Sequence, residues 1–199
     1  MAREEMEAGL RRVVIIVALL NLAYFGVEFA VALAIGSVSL FADSVDFLED
    51  ASVNFLIAVA LAWSMAWRAR VGMALAAILL VPGLATLWMA WDKFQAPLPP
   101  DPVPLSLAGA GALAVNLLCA FLLVRWRRHG GSLSRAAFLS ARNDAAANIA
   151  IIASAGVTAT LWHSAWPDLI VGLAIAAINA DAAREVWLAA RDEHRAARA

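Results

Sequence analysis

The chain has 199 residues, of which 63% are hydrophobic and 16% charged, with a formal net charge of -1. A soluble domain of this length is nearer half apolar, so the excess calls for burial in lipid, and the class is an integral membrane protein. Nucleic acid is not an expected partner, and with Cys119 as the only cysteine neither an intramolecular disulfide nor a thiolate metal cage can form.

In chain order, the segment Met1 to Glu7 is too acidic for the start of a signal peptide, and the apolar run after it has no clear cleavage site. It reads as a cytoplasmic N-terminus over 1–11 followed by a retained first span. Six spans fit, over 12–35, 39–67, 71–93, 104–126, 134–162 and 168–190, each near or above the roughly 20 residues that cross a hydrocarbon core. The predicted fold is therefore all-α: a polytopic membrane protein with six transmembrane helices over 12–190 and a cytoplasmic tail over 191–199. Gly36-Ser37 parts the first two spans and Arg68-Ala-Arg70-Val-Gly72 the next two. Asp92 to Pro104, with its prolines, is expected to be a stiff external loop. Arg125 to Arg135 separates spans four and five, and His163 to Asp168 the last two. About a dozen residues follow Trp187, too few for a folded domain, and they are expected to continue the sixth helix.

Orientation follows from the arginines. Arg3, Arg11, Arg12, Arg68, Arg70, Arg125, Arg127, Arg128, Arg135, Arg184, Arg191, Arg195 and Arg198 fall on one side of this threading, with only Lys93 on the other. Positive charge stays inside, so both termini are expected in the cytoplasm. Trp63, Trp67, Trp126 and Trp187 mark the inner interface, while Trp88, Trp91, Trp162 and Trp166 mark the outer one. The Arg- and Ala-rich composition points to a bacterial source and so to the inner membrane.

Span two carries four acids inside an otherwise apolar run. Asp43, Asp46 and Asp50 share one helical face, with Glu49 at its edge. Ionisable groups inside a bilayer are expensive, and by default they line an ion or proton pathway. Span five answers with Ser140, Asp144 and Asn148 at i, i+4, i+8, the spacing of Asp46, Asp50 and Asn54. The two helices thus present matching polar columns. Carboxylates gathered in a low-dielectric site cannot all stay ionised without protons or a cation to neutralise them. Asp46, Asp50, Asp144 and the Ser140 hydroxyl would make an all-oxygen shell around one ion. Ligands must be deprotonated to bind metal, so cation arrival expels protons and departure recovers them.

These residues carry a family resemblance. Gly36-Ser-Val-Ser-Leu-Phe-Ala-Asp43-Ser-Val-Asp46-Phe-Leu-Glu-Asp50 resembles the second-span signature of the cation diffusion facilitators, or cation efflux family. Ser140-Ala-Arg-Asn-Asp144 is similar to their fifth-span signature, and Trp166-Pro-Asp168-Leu-Ile-Val-Gly172 to the start of their sixth span. The resemblance implies a cation-efflux-type transmembrane domain that moves Zn(II)-like divalent cations out of the cytoplasm against protons, rocking between inward- and outward-open states. Asp46 and Asp50 match the family's span-two ligands, and Asp144 its span-five aspartate. Ser140 stands where histidine is common, and its hydroxyl leans toward harder ions such as Mn(II). The cytoplasmic metal-binding domain common in the family is expected to be missing, which makes this a short, divergent member. No resident cofactor is expected. The cargo would be Zn, Cd, Co, Ni, Mn or Fe(II), the other partners protons and membrane lipid, and a homodimer through the membrane helices stays open.

Other readings stand beside these. Asp46, Asp50 and Asp144 would also serve as a structural polar network, and Asp43 as a cap or relay. Ser140 would bond back to its own helix carbonyl, and Asn54 and Asn148 would act as interhelical glue. Glu28, with Asn21 on the same stripe, is a candidate proton relay, and Arg142 is expected to pair with Glu28 or Glu49. The rival functions are a non-transporting membrane scaffold or metal sensor, and an intramembrane aspartyl protease with Asp50 and Asp144 as a dyad. The Gly-x-Gly-Asp signature of such proteases is absent.

Overall fold

The computed structural model describes residues 2–60, 67, 70, 84–126 and 131–196, with side chains for all of these except 2–7, 60, 131–140, 182–183, 185–187 and 189–196. Among the described residues the chain is all-helical, with no strand. The helices are α1 (Ala2–Ile35), α2 (Val38–Ala60), α3 (residues 84–95), α4 (Pro102–Val124), α5 (Gly131–Thr160) and α6 (Trp166–Ala196). They follow the expected order, and several exceed the expected limits. α1 begins within the 1–11 segment, α5 begins inside the Arg125 to Arg135 connection, and α6 runs on past 190. The end of the expected second span, most of the third, the break over 68–72 apart from Arg70, and His129 lie outside the described residues.

Both boundaries of the external loop are corrected. It does not start at Asp92, because α3 continues to residue 95, and it does not reach Pro104, because α4 begins at Pro102. Asp101 caps it, its carboxylate accepting from Val103 N at 3.0 Å, and a proline in the first helical position has no needed N–H to lose.

The turn from α1 into α2 is as tight as Gly36-Ser37 suggests. Gly36 has φ +63°, the left-handed conformation that ends a helix most cheaply, and Ser37 N donates back to Ala32 O at 3.0 Å. The same Ser37 opens α2, its Oγ accepting from Leu40 N at 3.2 Å. Lys93 of α3 is buried and donates its Nζ to Gly36 O at 2.6 Å. The lone lysine is therefore spent on a helix C-terminal carbonyl.

The helices pack with α2 against α1, α5 and α6, and α4 against α1 and α5. Two apolar layers result. One, near the Gly36 turn, joins Ala32, Leu40, Phe41, Val45, Leu105, Ala108, Ile151, Ala155 and Ile175. The other joins Val14, Val17, Ile57, Ala58, Cys119, Leu123 and Ala141. It marks the opposite end, where the Trp126 ring lies against Gly9. Layer membership makes α2 and α5 antiparallel, with the polar residues between them left in a central band.

The outside of the bundle is apolar where water-soluble proteins are polar. Trp88, Leu107 and Phe121 are 74%, 69% and 73% exposed, while Asn21, Glu28 and Asp43 are fully buried. Burying the polar groups and exposing the large apolar ones is the distribution a lipid solvent selects. By length and composition, two described helices can cross a membrane, Ala8–Ile35 and Pro102–Val124. Four acids take α2 outside that measure.

α6 lies directly on the start of α2. A Cβ at Gly172 would come within 2.7 Å of Val38 C and 2.8 Å of Ser39 N, backbone atoms that cannot rotate away. A Cβ at Gly156 would meet nothing within 4 Å among the described residues. Gly172→Ala should therefore destabilise by about 1–3 kcal/mol through overpacking. Gly156→Ala should stabilise by about 0.5–1 kcal/mol through helix propensity. Thermal midpoints of the two variants in detergent are expected to move in opposite directions, and a shared direction would refute the packing argument.

Candidate functional site

The central band is built on α2. Val38 to Ala60 places an acid at 43, 46, 49 and 50, so the carboxylates wind over a little more than one face. Asp43 is fully buried, Asp50 nearly so, and Asp46 and Glu49 are partly buried. α5 brings Asp144 to this face, its carboxyl within hydrogen-bonding reach of Asp50. Asp46 has Asp144, Asp43, Glu49 and Asp50 as its electrostatic neighbours. The acids that the i, i+4 spacing placed on α2 and α5 are neighbours across the two helices.

α1 contributes a second layer of acid. Glu28 is fully buried and interacts with Asp43 and Asp46, and among the described residues neither oxygen of Glu28 or Asp43 receives a hydrogen bond. Tyr24, one turn before Glu28, donates its hydroxyl to Ala108 O of α4 at 2.6 Å and packs its ring, tilted by 52°, with its centroid 5.1 Å from that of Phe47. It fixes α1 between α2 and α4 beside the acids. Above the other apolar layer, Asn21 Oδ1 accepts from the buried Cys119 thiol at 3.6 Å, so that cysteine is a packed hydrophobe with one weak bond.

Two expectations are corrected. Arg142 does not pair with Glu28 or Glu49. It is exposed and donates to Asn143 Oδ1 at 3.3 Å, since it stands two residues, some 200° of helix, from Asp144 and so points away from the bundle. Asn54 and Asn148 are not interhelical glue. Asn54 Nδ2 donates to Asp50 O at 2.8 Å and Asn148 Nδ2 to Asp144 O at 2.7 Å, each within its own helix. The Ser140 side chain lies outside the described residues.

The leading electrostatic neighbours of Glu28, Asp46, Glu49 and Asp144 are all carboxylates. Among the described residues, no three His, Cys, Asp or Glu side chains are closed about a point that could hold a metal ion.

A family model of the cation efflux transmembrane domain matches residues 14–192. The chain belongs to the cation efflux family. No curated protein matches it. As a cation efflux protein it is a membrane-embedded transporter of metal cations, and family members are transporters rather than enzymes. The aspartyl protease reading of Asp50 and Asp144 thereby loses its ground. The matched range takes in all the acids of the central band and also Asp168.

Asp168 is the residue whose role the sequence alone left unread. It sits fully buried in the first turn of α6, where its carboxylate accepts from Ser37 Oγ (2.7 Å), Val38 N (2.8 Å), Ser39 N (3.3 Å) and Ser39 Oγ (2.6 Å). α2 has no acid in its own first turn, so α6 supplies one to the positive end of that helix. With Leu40 N bonded to Ser37 Oγ and Phe41 N to Ser37 O, all the N–H groups of the first turn are satisfied. The signal was Ser37-x-Ser39 together with Asp168 and Gly172, one turn apart, on another helix.

Proposed function

We propose that this cation efflux protein exports divalent transition-metal ions from the cytoplasm in exchange for protons by alternating access, with Asp46, Asp50 and Asp144 as ligands. The observation that carries the reading is the meeting of α2 and α5 carboxylates in a buried band with other acids as neighbours. Such a band needs positive charge to be stable, and a divalent cation or protons can each supply it. Binding one requires release of the other, which is the coupling an exchanger needs. Ser140, one turn before Asp144, completes the ligand set, and Asp43 and Glu28 stand behind it as the proton-bearing pair. Oxygen ligation suits Mn(II) and Fe(II), and Zn, Cd, Co and Ni belong to the same test.

In this reading the chain crosses the bacterial inner membrane six times over 12–190 with both termini in the cytoplasm. The arginine distribution and the apolar exterior support that threading. The test is metal-driven proton flux in vesicles containing the purified protein, across Zn, Cd, Co, Ni, Mn and Fe(II). Flux with at least one ion is expected. Metal binding without flux with any of them would replace the transporter by a membrane metal sensor or scaffold.

A further inference from the structure

Asn54 and Asn148 carry a feature that the carboxylate site does not use. Each continues its polar column by one i+4 step, from Asp50 on α2 and from Asp144 on α5. Both are buried, at 1% and 0% exposure. Each spends its amide nitrogen on the carbonyl of the aspartate four residues before it. A carbonyl can only accept, so the nitrogen must face it and the oxygen must turn away from the backbone. In both cases that oxygen is buried without a hydrogen-bond partner among the described residues. A buried amide oxygen without a donor is destabilising, because it has given up its bond to water for nothing. Two such atoms, at equivalent places on two helices, call for something that binds oxygen.

The antiparallel packing puts them on opposite sides of the acids. α2 runs from the Gly36-end layer toward the other, so Asn54 lies between Asp50 and the layer of Ile57 and Ala141. α5 runs the other way, so Asn148 lies between Asp144 and the layer of Phe41 and Ile151. The carboxylates are bracketed along the bundle axis by two neutral oxygens.

We propose that Asn54 and Asn148 are cation ligands in transit, their Oδ1 atoms replacing a hydration water as the ion reaches the carboxylates from one side and leaves by the other. This rests on the reading of Asp46, Asp50 and Asp144 as the transported ion's ligands. Neutral carbonyl oxygen is a hard, weak donor, suited to Mn(II) and strong enough to guide an ion without trapping it. The amides therefore also act on selectivity, favouring hard ions over those that prefer nitrogen or sulfur.

The test compares Asn54→Leu and Asn148→Leu with the parent and with Asp50→Asn, measuring Mn(II)- and Zn(II)-driven proton flux in vesicles and thermal stability in detergent. Leucine keeps the branched outline and removes the orphaned oxygen, so a purely structural amide predicts a KM unchanged from the parent's. The ligand role predicts a folded protein whose KM for Mn(II) rises about tenfold and for Zn(II) rises less, with the maximal rate near the parent's. Parental KM values in both leucine variants, with flux still lost in Asp50→Asn, would overturn the amide proposal and leave the carboxylate site standing. Flux retained in Asp50→Asn would overturn the carboxylate site and the amide proposal with it. Should a leucine variant fail to fold, Asn54→Ser and Asn148→Ser carry the decision: serine can still bond the i-4 carbonyl but draws its oxygen back. A raised Mn(II) KM there supports the proposal and a parental one overturns it.

Discussion

Asp50→Asn and Asp144→Asn are each expected to lower metal-driven proton flux at least about a hundredfold while leaving the protein folded. Changes in the surroundings of a metal ligand alone cost 10–100-fold in affinity as a rule, and these substitutions remove a charged ligand and a proton acceptor together. Asparagine keeps the shape of aspartate, so packing against α5 and α2 is unchanged. The two carboxyls stand within hydrogen-bonding reach of each other, and Asp144 also feels Asp43 and Glu49. Removing one negative charge from this group relieves repulsion, so the thermal midpoint should hold or rise. A structural network predicts the reverse pattern, with stability lost and flux kept. Flux and midpoint measured on the same preparations separate the two outcomes.

Asp168→Ala should produce the largest loss of stability, about 3 kcal/mol or more. The carboxylate accepts two backbone N–H groups and two hydroxyls, all buried. Its removal strands Val38 N–H and Ser39 N–H at the start of α2, each unsatisfied donor costing about 1–3 kcal/mol. The serine hydroxyls can turn to other acceptors, and the backbone cannot. Asp168→Asn should fall between parent and alanine, since its one carbonyl oxygen can serve a single backbone donor while its NH2 faces the other. Lys93, which also feels the Asp168 charge, would lose part of its reason to sit at Gly36. Denaturation midpoints in detergent that place Asp168→Ala with the parent would remove this cap from the account.

Features set by local periodicity were legible in the residues. The polar columns of α2 and α5 follow from i, i+4 spacing, and the meeting of Asp46 and Asp50 with Asp144 follows because neither helix can leave a carboxylate facing lipid. Gly36-Ser37 announced its turn because a left-handed glycine and an N-cap serine are local chemistry. Features that depend on a distant helix were less legible. Nothing near Ser37 says that its helix is capped by Asp168, more than a hundred residues away. Arg142 was misread because a charge between two polar residues in sequence suggests a partner, while the helix turns it outward. The amides of Asn54 and Asn148 were misread because the type of residue does not say which carbonyl its nitrogen chooses.

The two apolar layers above and below the acid band bear on the cell's energy supply. A column of carboxylates open to water at both ends would conduct protons continuously and discharge the gradient that an exchanger draws on. With Phe41, Ile151 and their neighbours on one side and Val14, Ile57 and Leu123 on the other, apolar side chains flank the acids along the bundle axis among the described residues. In the proposed exchange each layer would act as a dielectric seal, and opening one would require the other to stay shut. Polar substitutions in these layers would therefore be felt first as an uncoupled leak, before any loss of cation binding.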